Sequence, residues 1–247
     1  MTSSDFPERF TRTVDLYGET GFARLRAARV AICGLGGVGA HAALALARSG
    51  VGALTLVDFD LVTASSLNRN PIAAPADVGR AKAEVLADHL RAACPDTAVA
   101  PVRAFVHEDT LDDLLTPAPD LVVDAIDSLN PKLALLARCL AEERPVVSAM
   151  GAAGRRDVAA LQVSDLWESR GCPLASRVRK FLRRRGLDAP LPCVWSAEPP
   201  AAALPPDLDD RTLDRGRVRN RLPSAIAVPG AAGYALASLA LDRLVDG

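Results

Sequence analysis

The chain reads as an α/β protein on a Rossmann-like, doubly wound, mostly parallel sheet with a mixed C-terminal extension. Three observations carry that expectation. A short apolar strand, Val30 to Cys33, runs into a turn with Gly34, Gly36 and Gly39 in G-x-G-x-x-G spacing, then into a helical pattern. Strand-like and helix-like segments then alternate as far as Ser148, the signature of a parallel sheet with crossover helices. After Gly154 the alternation stops, and VAALQV (Val158 to Val163) reads as a strand with no long crossover before it.

Residues 1–28 are polar and partly helical, and RFTR (Arg9 to Arg12) puts an arginine-bearing arm before the first strand. After the glycine turn, a helix over Ala42 to Arg48 is closed by Gly50 and Gly52, and a second strand, Leu54 to Val57, ends at Asp58. LVTASSLNRN (Leu61 to Asn70) lacks periodicity and reads as loop or short helix. Val78, Ala81, Val85, Leu86 and Leu90 are at helical spacing, and Pro95 ends that helix. Val99 to Phe105 is a third strand, Asp109 begins a short helix, and Leu121 to Val123 is a buried fourth strand running into DAIDS. A helix over Pro131 to Glu143 and a fifth strand over Pro145 to Ser148 complete the alternation. Beyond it lie a basic helix (Pro173 to Arg185), a strand PCVWS (Pro192 to Ser196), an exposed mobile loop over 197–222 and an apolar helix over Pro229 to Val245.

The 247 residues, 49% of them hydrophobic, fit one domain: a nucleotide-binding part over about 20–155 and a substrate-binding part over about 156–247. A net charge of -1 excludes a global basic field, so any nucleic-acid site is a local patch. The five cysteines are odd in number, none sits in C-x-x-C, and no signal peptide opens the chain. These features point to a reducing cytoplasm and away from a disulfide framework or a four-cysteine zinc site. Cys193 lies on a strand and Cys172 in a loop, where it is expected to be the more exposed. His41, His89 and His107 are scattered without partners. Ser224 to Leu241 carries no charge, but it is Ala-rich and broken by Pro229, Gly230 and Gly233. It reads as a buried helix closing the core, with no stable membrane insertion expected.

The glycines have physical tasks. The first permits a tight strand-to-helix turn, the second lets a phosphate approach the backbone, and the third lets helix and strand pack closely. Free amides and the helix dipole favour an anion there, and an acid at Asp58 can bind a ribose hydroxyl. Asn68 and Arg69 follow in the loop, Lys82 starts the next helix, and Asp127 lies past the fourth strand's carboxyl end. Ligands bind beyond the carboxyl ends of such strands. Arg69 and Lys82 suit a triphosphate. Asp127 repels phosphates unless a cation stands between, which favours ATP with Mg²⁺ over NAD. Taken singly, Lys82 also reads as a solvated lysine, Asp127 as a helix N-cap and Asn68 as a turn former.

GLGGVG, DFD, SLNRN, GRAKAE and DAIDS, in that order, resemble the ThiF/MoeB/HesA family of adenylating enzymes over roughly residues 9–155. The resemblance implies that Gly34, Gly36, Gly37 and Gly39 hold phosphates and that Asp58 holds the ribose. It also implies that Asp60, Asn68, Arg69 and Lys82 contact ATP, that Asp127 binds Mg²⁺ and that Arg12 reaches into a partner subunit's site in a homodimer. The catalytic set would then be Arg12, Arg69, Lys82 and Asp127. Ser66 and Asn70 stand where the family usually has Asn and Gln.

GAAGRRDVAALQV, CPLASRVRK and PCVWSAEPP are similar to the branch of that family acting on tRNA, the threonylcarbamoyladenosine dehydratases. Cys172 replaces an expected Asp and Val158 an expected Pro, and the paired C-x-x-C motifs of the sulfur-carrier-activating branch are missing. This resemblance implies adenylation of a threonyl carboxylate on modified tRNA, then ring closure with loss of AMP. The alternative is activation of a sulfur-carrier protein's C-terminal glycine, and a sulfur-relay protein is a further candidate partner. Arg177, Arg179, Lys180, Arg183, Arg184 and Arg185 fall within nine residues, with Arg215, Arg217, Arg219 and Arg221 in the following loop. Such a run is either a solvated face or a contact for the tRNA phosphate backbone.

Overall fold

The computed structural model describes residues 6–205 and 221–247. Seven strands form one sheet: β1 (Arg29–Cys33), β2 (Ala53–Val57), β3 (Ala98–Val102), β4 (Leu121–Asp124), β5 (Val146–Ala149), β6 (Leu161–Asp165) and β7 (Pro192–Ser196). Their order is β3-β2-β1-β4-β5-β7-β6. Every pairing is parallel except β6 with β7. The expected doubly wound sheet and its mixed extension are both present. β4 and β5 are buried at every position, as parallel strands covered on both faces are, and the two polar residues among them, Asp124 and Ser148, are buried with the rest.

Among the described residues seven α-helices clothe this sheet: α1 (Thr11–Ala27), α2 (Gly39–Arg48), α3 (Lys82–Ala93), α4 (Leu111–Leu114), α5 (Leu129–Ala141), α6 (Pro173–Arg184) and α7 (Ala227–Asp246). One core cluster takes Leu25 of α1, Leu46 of α2, Leu86 of α3 and Leu236 of α7. The other takes Leu114 of α4, Leu136 of α5 and Val178 and Leu182 of α6. The uncharged C-terminal run is thus a core helix, and no helix of the described residues is long and apolar enough to cross a membrane.

Some boundaries differ from expectation for local reasons. The helix expected from Val78 begins at Lys82, because Val62 N–H donates to Arg80 O at 2.8 Å and Lys82 N–H to Asp60 O at 3.0 Å, tying residues 80–82 to the loop after β2. Val158 to Ala160 is a 3-10 turn rather than strand, since the Asp157 carboxylate accepts from Ala159 N–H at 2.8 Å. Cys172 is not the exposed thiol expected of a loop. It is 3% exposed, drawn into the second core cluster where α6 begins. All five cysteines are free and buried, and burial pushes the Cys193 thiol up to about 12. Most of the expected mobile loop, with Arg215, Arg217 and Arg219, lies outside the described residues. Its flanks are paired: Leu204 and Arg221 exchange backbone hydrogen bonds of 2.8 and 2.9 Å.

Candidate functional site

A cavity of about 510 Å³ opens at the carboxyl ends of β1, β2 and β4, within the range of small-molecule sites. Its first wall is the glycine turn. Gly34 has φ +89°, which a side chain rarely tolerates, and a Cβ there would sit 2.8 Å from Ala125 O. A Cβ on Gly39 would stand 1.8 Å from Gly34 O, so α2 begins in contact with the turn. A Cβ on Gly36 would meet nothing within 4 Å. That glycine borders the cavity and leaves the backbone open to a ligand. Gly37 lines the cavity with it, whereas Gly39 lies behind.

Asp58, Asp60, Lys82, Arg69 and Asp127 also line this cavity, so five charged side chains scattered over 70 residues of sequence meet in one place. Asp58 is 7% exposed. Its carboxylate accepts from Leu35 N–H at 2.6 Å and from Asp60 N–H at 2.8 Å, bracing the glycine turn against the end of β2. Burial holds its pKa above the usual carboxylate range, although Lys82 and the two amides oppose this. Lys82 donates to Asp60 Oδ2 at 2.8 Å. Burial draws its pKa down, and the charges of Asp58, Asp60 and Asp127 more than reverse that, leaving it raised. The ammonium therefore stays charged at neutral pH. Arg69 donates to Ser65 O at 2.8 Å and to Asn68 Oδ1 at 3.2 Å.

Asn68 is turned elsewhere: it lies outside the cavity lining, and its amide donates to Ser224 O at 2.9 Å. Arg12 is also outside, exposed on α1. Among the described residues no cluster of three His, Cys, Asp or Glu side chains is placed to hold a metal ion. A divalent cation at Asp127 would need phosphate oxygens and waters as further ligands, and Mg²⁺ is commonly held in that way. The donor set fits Mg²⁺ arriving with a nucleotide.

Sequence reasoning missed several features in and around this site. Phe59 and Phe105 meet edge to face at 4.9 Å in the cavity wall. His41, expected to be partnerless, is buried, with Nδ1 2.6 Å from Gly37 O and its ring against Tyr234. His107 likewise has a partner, Asp109, at 2.8 Å. Beneath the cavity, Lys132 is fully buried with Asp124 and Ser148. It donates to Asp124 Oδ2, to Ser148 Oγ at 3.2 Å and to Ala149 O at 2.9 Å.

Arg177, Lys180, Arg183 and Arg184 of α6 are exposed, as is Arg185 just past its end. Arg183 lies over the Trp167 ring at 5.1 Å, and Arg185 is 3.8 Å from Glu108. Arg179 differs: its guanidinium turns inward to Ser169 Oγ and Leu166 O. Burial lowers its pKa, and Arg170 and Arg183 add to the effect.

The sheet order and the cavity define a doubly wound α/β nucleotide-binding protein, with its site where the strand order reverses. The chain belongs to the ThiF family, whose model matches residues 10–180. It is 32% identical over 242 residues to the tRNA threonylcarbamoyladenosine dehydratase of Bacillus subtilis, covering 96% of this chain and 95% of that one. A crystal structure of the Escherichia coli tRNA N6-threonylcarbamoyladenosine dehydratase, TcdA, in complex with ATP matches with a TM-score of 0.85 at 33% identity, covering 100% of this chain and 97% of that one. The Escherichia coli molybdopterin-synthase adenylyltransferase is 40% identical, but over 151 residues, 60% of this chain and 59% of its own length.

Proposed function

We propose that this protein is an ATP-dependent tRNA threonylcarbamoyladenosine dehydratase. The observation that carries this is the nearly end-to-end likeness to dehydratases, including one solved with ATP. The likeness to the adenylyltransferase that supports the alternative, activation of a carrier protein's C-terminal glycine, covers only part of the chain.

In this reading the glycine turn takes the phosphates, and Asp58, with Asp60, the ribose side. Lys82 and Arg69 hold charge that builds on phosphorus as the pyrophosphate bond breaks. Asp127 would hold Mg²⁺, which would supply charge screening at the triphosphate. A threonyl carboxylate oxygen attacks the α-phosphorus, and pyrophosphate departs with the electron pair. A nitrogen or oxygen of the same side chain then attacks the activated carbonyl carbon, AMP leaves, and a proton is lost as the ring closes. Phe59 and Phe105 supply an apolar part of the wall.

The 1–247 chain works as one unit, with nucleotide residues over about 20–155 and substrate residues over about 156–247. We assign the exposed cations of α6 to the tRNA backbone. A homodimer in the cytoplasm is consistent with Arg12 on an outer face beside Leu16, which is 74% exposed, and with five free cysteines. In this reading a sulfur-relay protein is a further partner. The test is pyrophosphate release with tRNA carrying the modification, beside a carrier protein ending in Gly-Gly. Release with the tRNA alone supports the dehydratase, and release with the carrier alone supports the alternative.

A further inference from the structure

On the β5 side, the cavity wall is a loop whose hydrogen bonds run to the chain after β7. Met150, Ala152 and Ala153 line the cavity there. Gly154 N–H donates to Pro223 O at 2.7 Å, and Ala201 N–H donates to Gly154 O at 2.7 Å. Arg155 and Glu198 lock the two segments together from both directions. The Arg155 guanidinium donates from Nε to Glu198 O at 3.1 Å and from Nη1 to Ala153 O at 3.1 Å. The Glu198 carboxylate in turn accepts from Arg156 N–H at 3.0 Å and from Asp157 N–H at 2.9 Å. The amides of Asp157 and Arg156 hold its pKa below the usual carboxylate range, so it is ionised at neutral pH. Arg155 is 6% exposed, and its Nη2 is buried without a hydrogen-bond partner. A buried donor left unpaired is costly, so fold stability does not by itself explain an arginine here. Both residues come from GAAGRRD and PCVWSAEPP, stretches that the nucleotide side of the site leaves unused.

The sheet order gives this wall to the substrate. Asp58 follows β2, the glycine turn follows β1 and Asp127 follows β4. The order β2-β1-β4-β5 therefore runs from the ribose side, past the phosphates, to the end of β5. With the nucleotide over the first three strand ends, the end of β5 is left for the carboxyl group that meets the α-phosphorus. We propose that Arg155 and Glu198 form a clasp that sets Ala152 and Ala153 in place and so holds the threonyl carboxylate in line with the α-phosphorus. Neither Arg155 nor Glu198 lines the cavity, so both are positioning residues that act through the 151–154 loop. A Cβ on Gly151 would lie 3.2 Å from Arg155 Nη1, so the guanidinium packs on the backbone of that loop.

This rests on the dehydratase reading, and the experiment separates the two. Arg155→Met, Glu198→Ala and Glu198→Gln are compared with wild type for kcat/KM on tRNA bearing threonylcarbamoyladenosine, KM of ATP and affinity for the same tRNA without the modification. A misplaced wall predicts that Arg155→Met and Glu198→Ala lower kcat/KM for the modified tRNA by about tenfold to a hundredfold. The ATP KM and the affinity for unmodified tRNA should stay at their wild-type values. Glu198→Gln keeps a carbonyl oxygen for the two amides and should recover most of the loss. Wild-type kcat/KM in Arg155→Met and Glu198→Ala overturns the proposal, as does a loss shared with the ATP KM or with unmodified tRNA. If Arg155→Met does not fold, Glu198→Ala decides; if neither folds, the clasp is a support of the fold alone and the proposal fails. Wild-type protein that converts no modified tRNA overturns the dehydratase reading itself, whereas wild-type conversion beside any of these failures overturns only the clasp.

Discussion

Lys132 and Asp124 form an ion pair in which neither side chain has any exposure. Ser148 Oγ completes it, donating to Asp124 Oδ2 at 2.6 Å, and Ile126 N–H donates to Asp124 Oδ1 at 3.1 Å. The pair ties the carboxyl ends of β4 and β5, from which Asp127 and Ala152 reach the cavity. A buried charge that loses its partner is left uncompensated. Lys132→Met should therefore lower unfolding stability by about 3–5 kcal/mol in urea titration. The double variant with Asp124→Asn should recover part of that loss. A single variant as stable as wild type would show that the pair is dispensable.

Two glycines of the turn should respond differently to alanine. Gly36→Ala adds a methyl group where nothing lies within 4 Å, so stability should hold within about 0.5 kcal/mol while ATP affinity falls. Gly39→Ala forces a methyl group against Gly34 O and should destabilise the fold itself. Calorimetric melting beside ATP titration reads both effects. Unimpaired ATP binding in folded Gly36→Ala would remove the phosphate from this turn.

Arg12 sits on α1, outside the cavity of its own chain. If it serves the neighbouring subunit, Arg12→Ala and Asp127→Ala proteins should each be inactive alone. Mixed after dissociation, they should regain about a quarter of wild-type activity in statistical heterodimers with one intact site. Light scattering checks the dimer, and pyrophosphate release checks the rescue. No recovery in a verified heterodimer would exclude a role in trans.

The exposed cations of α6 should give tRNA binding that weakens steeply with salt, because each phosphate contact releases counterions. Reversing Arg183, Arg184 and Arg185 to Glu should abolish filter binding of tRNA while ATP binding remains. Arg179→Ala should act differently, reducing stability, because its guanidinium is bonded to Ser169 and Leu166 rather than exposed. A tRNA affinity insensitive to salt would identify α6 as a solvated face.

The sheet was legible because its signals are local: strand-length apolar runs, glycine spacing and helix periodicity. Asp58, Asp60, Lys82 and Asp127 were also legible, since each follows a strand or opens a helix on the ligand-binding edge, and Arg69 stood in the loop between them. What could not be read depends on pairing distant in sequence. Asp124 meets Ser148 only through the β4–β5 register, and that register alone gives Lys132 its partners. His41 was misjudged because α7, over 180 residues later, covers it. Arg221 was read as part of a charged loop, whereas its backbone pairing with Leu204 and the contacts of the residues after it hold it at the cavity wall.

The most direct measurement follows the modified nucleoside itself. Purified protein, ATP, Mg²⁺ and tRNA bearing threonylcarbamoyladenosine are incubated, and the digested nucleosides are weighed by mass spectrometry beside AMP and pyrophosphate. Dehydration predicts a nucleoside lighter by one water, with one AMP and one pyrophosphate formed per nucleoside converted, and none of the three without ATP. An unchanged nucleoside, with pyrophosphate released only when a carrier protein ending in Gly-Gly is supplied, would contradict it.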